Sequence, residues 1–328
     1  MRKFGVLLLI AATILGCQKS TPPRAEPPKK ITLAFTDQPD CALVHIALTK
    51  GYFAHEGFDI QPQMHTYGKA ALNSVLEGKA DMATVGETPI MFSVLNGGII
   101  AIVATIFTSN KNNAVIGRRD HGLTTPDDLR GKRIAVTPGT TGEFFMDSFF
   151  TAIGMSRKNV EQVDLKPEEM FEALATGKVD AAVASNFTLI RLQKELGDKG
   201  VTFFDKEIYT ETFNIAAQQD FVLKNPDSVK KFLRALIKAE QFAREYPDKS
   251  QELVAASLQI DKNLVHEVWN SFEFRVALNQ ALLVELEAET RWAMKNRLTD
   301  RIQMPNYLDF ISLDNLLKVK PDSIGIIR

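Results

Sequence analysis

One stretch of this chain occurs twice, and that repetition restricts its fold more than any other feature. Leu76-Glu77-Gly78-Lys79-Ala80-Asp81-Met82-Ala83 returns 99 residues later as Ala175-Thr176-Gly177-Lys178-Val179-Asp180-Ala181-Ala182. Each copy reads as a helix end, a glycine stop, then a lysine and an aspartate leading into small and apolar residues. Glycine ends helices because it takes the left-handed conformation without steric cost. Such stops are common singly. Two at the same place of two matching series imply two lobes of one design.

The elements around each copy match as well. Hydrophobic spacing predicts strands over 31–35, 59–65 and 81–85 and helices over 41–50, 69–77 and 89–95. The apolar run 99–107 fits a buried strand. The alternation then restarts, with strands over 132–137, 160–165 and 180–184. Helices are expected over 141–154 and 167–176, and from 185 to about Leu196. Met146, Phe149, Phe150 and Ile153 mark the first of these at i, i+3, i+4, i+7. Strands alternating with helices give an α/β class, a mostly parallel sheet with helices on its faces.

The last third is different. Residues 213–219 read as a returning strand. Asn225-Pro226 suits a helix start, and Val229, Phe232, Leu233, Leu236 and Glu240 mark a long helix to Tyr246-Pro247. Further helices are expected over 248–258, 261–271 and 280–297. The simplest path leaves lobe one near Arg118, builds lobe two, and returns near Phe213. Lobe one is then 31–117 with 213–328, padded by the last helices, and lobe two is 118–212. Two crossings make a two-strand hinge, a shape for closing on something.

The start of the chain points to export. Met1-Arg2-Lys3 is basic, and an apolar run follows to Leu15, too short for a span of ~20 residues. Residues 1–16 read as a signal peptide, and Ile14-Leu15-Gly16-Cys17 resembles a bacterial lipobox. Cys17 is the expected lipid-bearing first residue, placing the protein in the periplasm or on the outer face of the cell membrane. The alternative is an ordinary signal with a chance cysteine. Residues 17–30 contain four prolines in STPPRAEPPKK, an extended tether with no fold expected before Ile31. Cys41 would be the one remaining thiol, so no internal disulfide is expected, and it reads as a buried small hydrophobe. Losing Arg2 and Lys3 takes the net charge from −1 to −1 − 2 = −3, which argues against a nucleic-acid partner. A 45% hydrophobic content and roughly 300 residues after the leader suit a well-cored, two-domain protein.

These residues resemble the sulfonate, nitrate, taurine and thiamine-pyrimidine (NMT1/THI5-like) type of ABC transporter substrate-binding proteins. The resemblance runs from about Ile31 to Tyr246. It rests on Lys50-Gly51-Tyr52-Phe53 before Glu56-Gly57, on Glu77-Gly78-Lys79-Ala80-Asp81, and on Gly86-Glu87-Thr88-Pro89. It continues in 128–136, DLRGKRIAV, before Pro138-Gly139-Thr140. It implies a type II periplasmic-binding fold, a ligand between the lobes, and a partner permease with its ATPase. Many relatives carry a Trp-Glu-Pro-like stretch where this chain has Ser185-Asn186-Phe187. A monomer without cofactor or metal is expected.

In open α/β sheets, ligands bind beyond the carboxyl ends of the strands, where helix N-termini favour anions. The candidate binding residues are Thr36, Asp37 and Gln38; Tyr67; Gly86, Glu87 and Thr88; Gly139, Thr140, Thr141 and Gly142; and Asn186 and Phe187. Each has a structural alternative. Thr88 before Pro89 suits a helix cap, Glu143 suits a capping box with Thr140, and Pro138-Gly139 suits a plain turn. Tyr67 reads equally as rim or ligand stacker, and Asn110, Asn112 and Asn113 read as turn residues. Glu87, if it points inward, would select a cationic or donor end, favouring a zwitterion over a bare anion. His45, His55 and His65 recur every ten residues, a spacing that matches no helix-face ligand set. Two rivals remain, an enzyme of the same fold such as a thiamine-pyrimidine synthase, and a sensory lipoprotein. Export argues against the enzyme.

Overall fold

A computed structural model describes residues 27–205 and 207–327. The apolar run, Cys17 and most of the Pro-rich stretch lie outside the described residues. Ten strands build two five-stranded sheets. The first described strand is β1 (Lys29–Thr36), starting two residues before the expected Ile31. It is followed by β2 (Phe58–His65), β3 (Met82–Gly86) and β4 (Ile100–Ser109). The middle of the chain gives β5 (Asn113–Arg118), β6 (Arg133–Val136), β7 (Glu161–Asp164), β8 (Ala181–Ser185) and β9 (Gly200–Phe203). β10 (Glu211–Gln218) returns to the first sheet.

The sheets share one plan. Their orders are β2-β1-β3-β10-β4 and β7-β6-β8-β5-β9. β1 pairs parallel with β2 and β3, as β6 does with β7 and β8. β10 runs antiparallel between β3 and β4, as β5 does between β8 and β9. In each sheet the antiparallel strand is the one that has just arrived from the other lobe.

The doubled sequence motif now has a physical role. Asp81 Oδ2 accepts the Thr32 N–H at 2.8 Å while the Asp81 N–H donates to the Thr32 carbonyl at 2.9 Å. Asp180 Oδ2 accepts the Arg133 N–H at 2.9 Å while its own N–H donates to the Arg133 carbonyl at 2.8 Å. Each aspartate therefore pins the central parallel strand, β1 or β6, to the strand it introduces. The preceding glycines sit at φ +70° and +74°, where a side chain would strain the helix stop. Asp180 does more than Asp81. It also accepts from the Arg133 guanidinium at 2.8 Å and meets His121 Nδ1 at 2.8 Å, and these donors hold its carboxyl well below the usual range.

Both expected crossings shift. The chain leaves the first sheet at 110–112 and returns at 204–210, not near Arg118 and Phe213. The cause is β5, which follows β4 after three residues and was hidden by the polar run around Asn110. The first sheet accordingly draws its strands from 29–109 and 211–218, and the second from 113–203.

The C-terminal helices cover lobe one as expected, with Phe232 of helix Pro226–Glu245 stacked on Phe53 at 4.8 Å between ring centres. Helix Gln280–Lys295 also reaches lobe two. Its Trp292 sits 5.8 Å from Phe92 of lobe one and 5.3 Å from Phe144 of lobe two. Trp292 Nε1 donates to Asp147 Oδ2 at 2.7 Å. Among the described residues, no helix is long and apolar enough to cross a membrane.

The paired aspartates generate a stability test. Asp81→Ala and Asp180→Ala should each lower unfolding free energy by about 1–3 kcal/mol, from loss of a charge-assisted bond to a strand amide. Urea titration should show the larger loss for Asp180→Ala, because Arg133 and His121 also lose their acceptor. Equal and negligible losses would contradict the clamp.

Candidate functional site

Parallel strands end at the same sheet edge where an antiparallel strand begins. The ends of β1, β3, β6 and β8 and the starts of β5 and β10 therefore converge on one interlobe cleft. The cleft encloses a cavity of about 100 Å³.

Eight of the sequence candidates line this cavity. Thr36, Gln38, Tyr67 and Gly86 come from lobe one, and Thr140, Thr141, Gly142 and Asn186 from lobe two. The lobes touch across it. Lys69 Nζ donates to the Pro138 carbonyl at 2.7 Å, and Asn186 Nδ2 donates to Asp40 Oδ2 at 3.0 Å. A Cβ added to Gly86 would stand 2.7 Å from Thr141 Oγ1, so a glycine is needed for this approach.

The other five candidates sit elsewhere. Asp37 and Phe187 lie in an adjoining hollow with Glu168 and Arg191. Gly139 carries the turn at φ +66° under the Lys69 ammonium. Thr88 does not cap its helix, which begins at Glu87, but donates its hydroxyl to Glu289. Glu87 faces inward to the core and not to the cleft. It is fully buried, and its Oε2 accepts the Thr212 N–H and hydroxyl, both at 2.8 Å. Glu143 reaches past Thr140 to accept the Gly139 N–H at 2.7 Å and pairs with Arg157 at 3.2 Å. It braces the turn and does not close a capping box.

Sequence reading passed over the charged lining residues Asp40, Lys69 and Glu211. Asp40 lies one residue before the expected helix, and Glu211 just ahead of the expected strand. Asn112 and Asn113, read as turn residues, donate their side-chain amides to Glu211 Oε2 at 2.6 and 2.8 Å. Burial pushes the Asp40 carboxyl up to about 7, against the bonds from Thr36 and Asn186 that lower it. Burial also pushes Glu211 up to about 8, with the Asp40 charge adding to the rise. Behind the wall, Glu87 and Glu289 are held well above the usual carboxylate range by burial, and then by Glu211 on the first and Glu87 on the second. His45 is committed to Ser257 at 2.8 Å and the Thr36 carbonyl at 3.0 Å. Cys41 is buried between Thr36 and Thr84, as a small hydrophobe would be. No group of three His, Cys, Asp or Glu side chains is placed to hold a metal among the described residues.

The NMT1/THI5 like family profile matches residues 38–250. The chain belongs to that family. A Brucella abortus protein, provisionally assigned as a binding protein, is 26% identical over 236 residues, covering 70% of this chain and 72% of that protein. The 4-amino-5-hydroxymethyl-2-methylpyrimidine phosphate synthase of Saccharomyces cerevisiae is 24% identical over 246 residues, 68% of this chain and 69% of that enzyme. The solved periplasmic aliphatic sulphonate binding protein of Escherichia coli aligns with a TM-score of 0.71 at 15% identity, covering 84% of this chain and 89% of that one. The fold is therefore that of the periplasmic binding proteins.

The buried carboxyls set a pH dependence. A carboxyl that stays protonated in the fold while the unfolded chain ionises contributes stability that is full below its unfolded value near 4.5 and is lost as pH rises through its folded value. Ligand-free protein should melt at progressively lower temperature between pH 5 and pH 8. The loss is up to about 1.4 kcal/mol per pH unit for each such group. Glu289→Gln should flatten that slope, measured by calorimetric melting across the window. An unchanged slope would contradict the protonated assignment.

Proposed function

We propose that this chain is the solute-binding component of an ABC importer and that it holds a small polar solute between its lobes. The observation that carries the reading is the partly open cavity at the carboxyl ends of the parallel strands of both sheets, lined by eight of the residues expected to bind. The helix Thr141–Ala152 points its start at this space, and the partial positive charge of its first N–H groups suits an anionic group on the solute. Thr140, Thr141 and Gly142 are the residues we assign to that group. Thr36, Gln38, Tyr67, Gly86 and Asn186 would complete the contacts.

The same reading extends to location and partners. Export through the leader, a lipid on Cys17, and delivery of solute by a monomeric receptor to a permease and its ATPase fit together. The Pro-rich tether would let the folded body stand off the membrane. The membership of a yeast synthase in the family makes turnover the reading to exclude, and a bound solute should be recovered chemically unchanged.

A melting screen over sulfonates, nitrate, amines, amino acids and pyrimidines tests the binding role, because a ligand specific to the folded state raises its melting temperature. Thr141→Val should weaken the best hit on the order of tenfold, read by calorimetry. Failure of every solute to stabilise the protein, or an unaltered affinity in Thr141→Val, would contradict the assignment. Cys17→Ala expressed in bacteria should lose fatty-acid labelling and leave the membrane fraction. Equal labelling of the variant would remove the anchor.

A further inference from the structure

The wall of the cleft opposite the helix start has a chemistry of its own. Asp40, Glu211 and Asn186 are each nine-tenths or more buried and line the cavity together with Gln38. Their oxygens outnumber the donors supplied to them. Asn186 uses Nδ2 on Asp40, and its Oδ1 has no partner. Gln38 Oε1 is likewise buried without a partner. Buried acceptors left unpaired are costly, so two at one cavity mark a place where a donor is expected. Asn186 is also held at φ +50°, a conformation uncommon for a residue other than glycine. Such strain is tolerated where the surroundings fix the residue. Here the Asp40 bond fixes it and leaves Oδ1 unpaired.

The charge balance of the cavity agrees. Among its described lining residues, Lys69 is the one basic side chain, and its ammonium is spent on the Pro138 carbonyl. The carboxyls of Asp40 and Glu211 face the space with no cation against them. We infer that this wall receives a cationic nitrogen group of the solute, an ammonium, amidinium or guanidinium, seated between Asp40 and Glu211 and donating to Asn186 Oδ1 and Gln38 Oε1. Glu87, which sequence reading placed in this role, is walled off behind Thr212, and Glu211 takes its place. The inference rests on the solute-binding reading above and specifies the class of solute.

A consequence separates this from a neutral or anionic ligand. Burial pushes Asp40 up to about 7 and Glu211 up to about 8, so near neutral pH Glu211 keeps most of its proton and Asp40 only part of its own. A cation seated against them favours their ionised forms, so binding should release protons. The other titratable groups nearby are Lys69 and Tyr67 in the cleft, Cys41 against Asp40, Asp37 at the mouth beside Glu168, and Glu87 behind the wall.

The test uses the full chain and two sets of probes. One set is small amines, amidines and guanidines. The other is nitrate, methanesulfonate and ethanesulfonate. Calorimetry near pH 7.5 in two buffers of different ionisation enthalpy reads affinity and proton release together. At least one member of the first set should bind with release of protons. Glu211→Gln and Asp40→Asn should each weaken it by about 10- to 100-fold and reduce the release. Melting curves show whether each variant folds, and the second variant serves if the first does not. Binding of the anions but of no cation would overturn the inference and leave the solute-binding reading standing. A cation that binds without proton release, with both variants unchanged, would overturn it too. Binding of neither set overturns the inference, and the solute-binding reading then falls only if the broader melting screen also finds nothing.

Discussion

The Glu211 carboxylate is the interaction on which the arrangement of the two lobes depends. It begins the strand that returns to lobe one, and it accepts the side-chain amides of Asn112, at the end of the outgoing crossing, and Asn113, the first residue of β5. The two crossings are thus tied to one another at a single oxygen, at the floor of the cleft. Each crossing continues directly into the antiparallel strand of the sheet it enters, so the hinge and the sheets form one continuous structure. Moving one lobe relative to the other must bend the chain at 110–112 and 204–210. A carboxyl at this point serves two purposes, holding the crossings together and presenting an oxygen to the cavity.

Around that floor, contacts from three directions bring the lobes together. Lys69 reaches Pro138, Asn186 reaches Asp40, and Trp292 lies between Phe92 and Phe144 with its N–H on Asp147. Two of these are single hydrogen bonds at the cavity edge, each worth about 0.5–3 kcal/mol depending on charge. Contacts of that size can hold a closed arrangement when a solute adds to them and release it when the solute leaves. The Trp292 contact also joins the C-terminal helices to lobe two beyond covering lobe one.

Much of the fold was legible because it was written in periodicity and in a repeat. The helix stops at Gly78 and Gly177 and the aspartates after them had a shared local role, and local roles leave matching residues. β5 and β9 were not legible. β5 follows a polar connection of three residues, and β9 is four residues long, so neither offers a clear alternation. The cleft was legible in part. Loops at strand ends, such as those holding Thr36, Gly86 and Thr141, follow from topology alone. Glu87 could not be separated from Glu211 in this way, because which carboxyl reaches the cavity depends on side-chain direction and on a pairing between β3 and β10 about 125 residues apart. Asp40 and the paired asparagines were missed for the same reason. Their partners come from the far side of the cleft.

The proposed binding role requires the two lobes to close over a small solute. Small-angle scattering of the protein with and without a stabilising solute tests it most directly. The radius of gyration should fall on saturation, and the fall should shrink at equal occupancy when Trp292→Ala and Asn186→Ala together remove two of the three cross-lobe contacts, leaving Lys69–Pro138. An unchanged radius at full occupancy of the cleft would contradict closure.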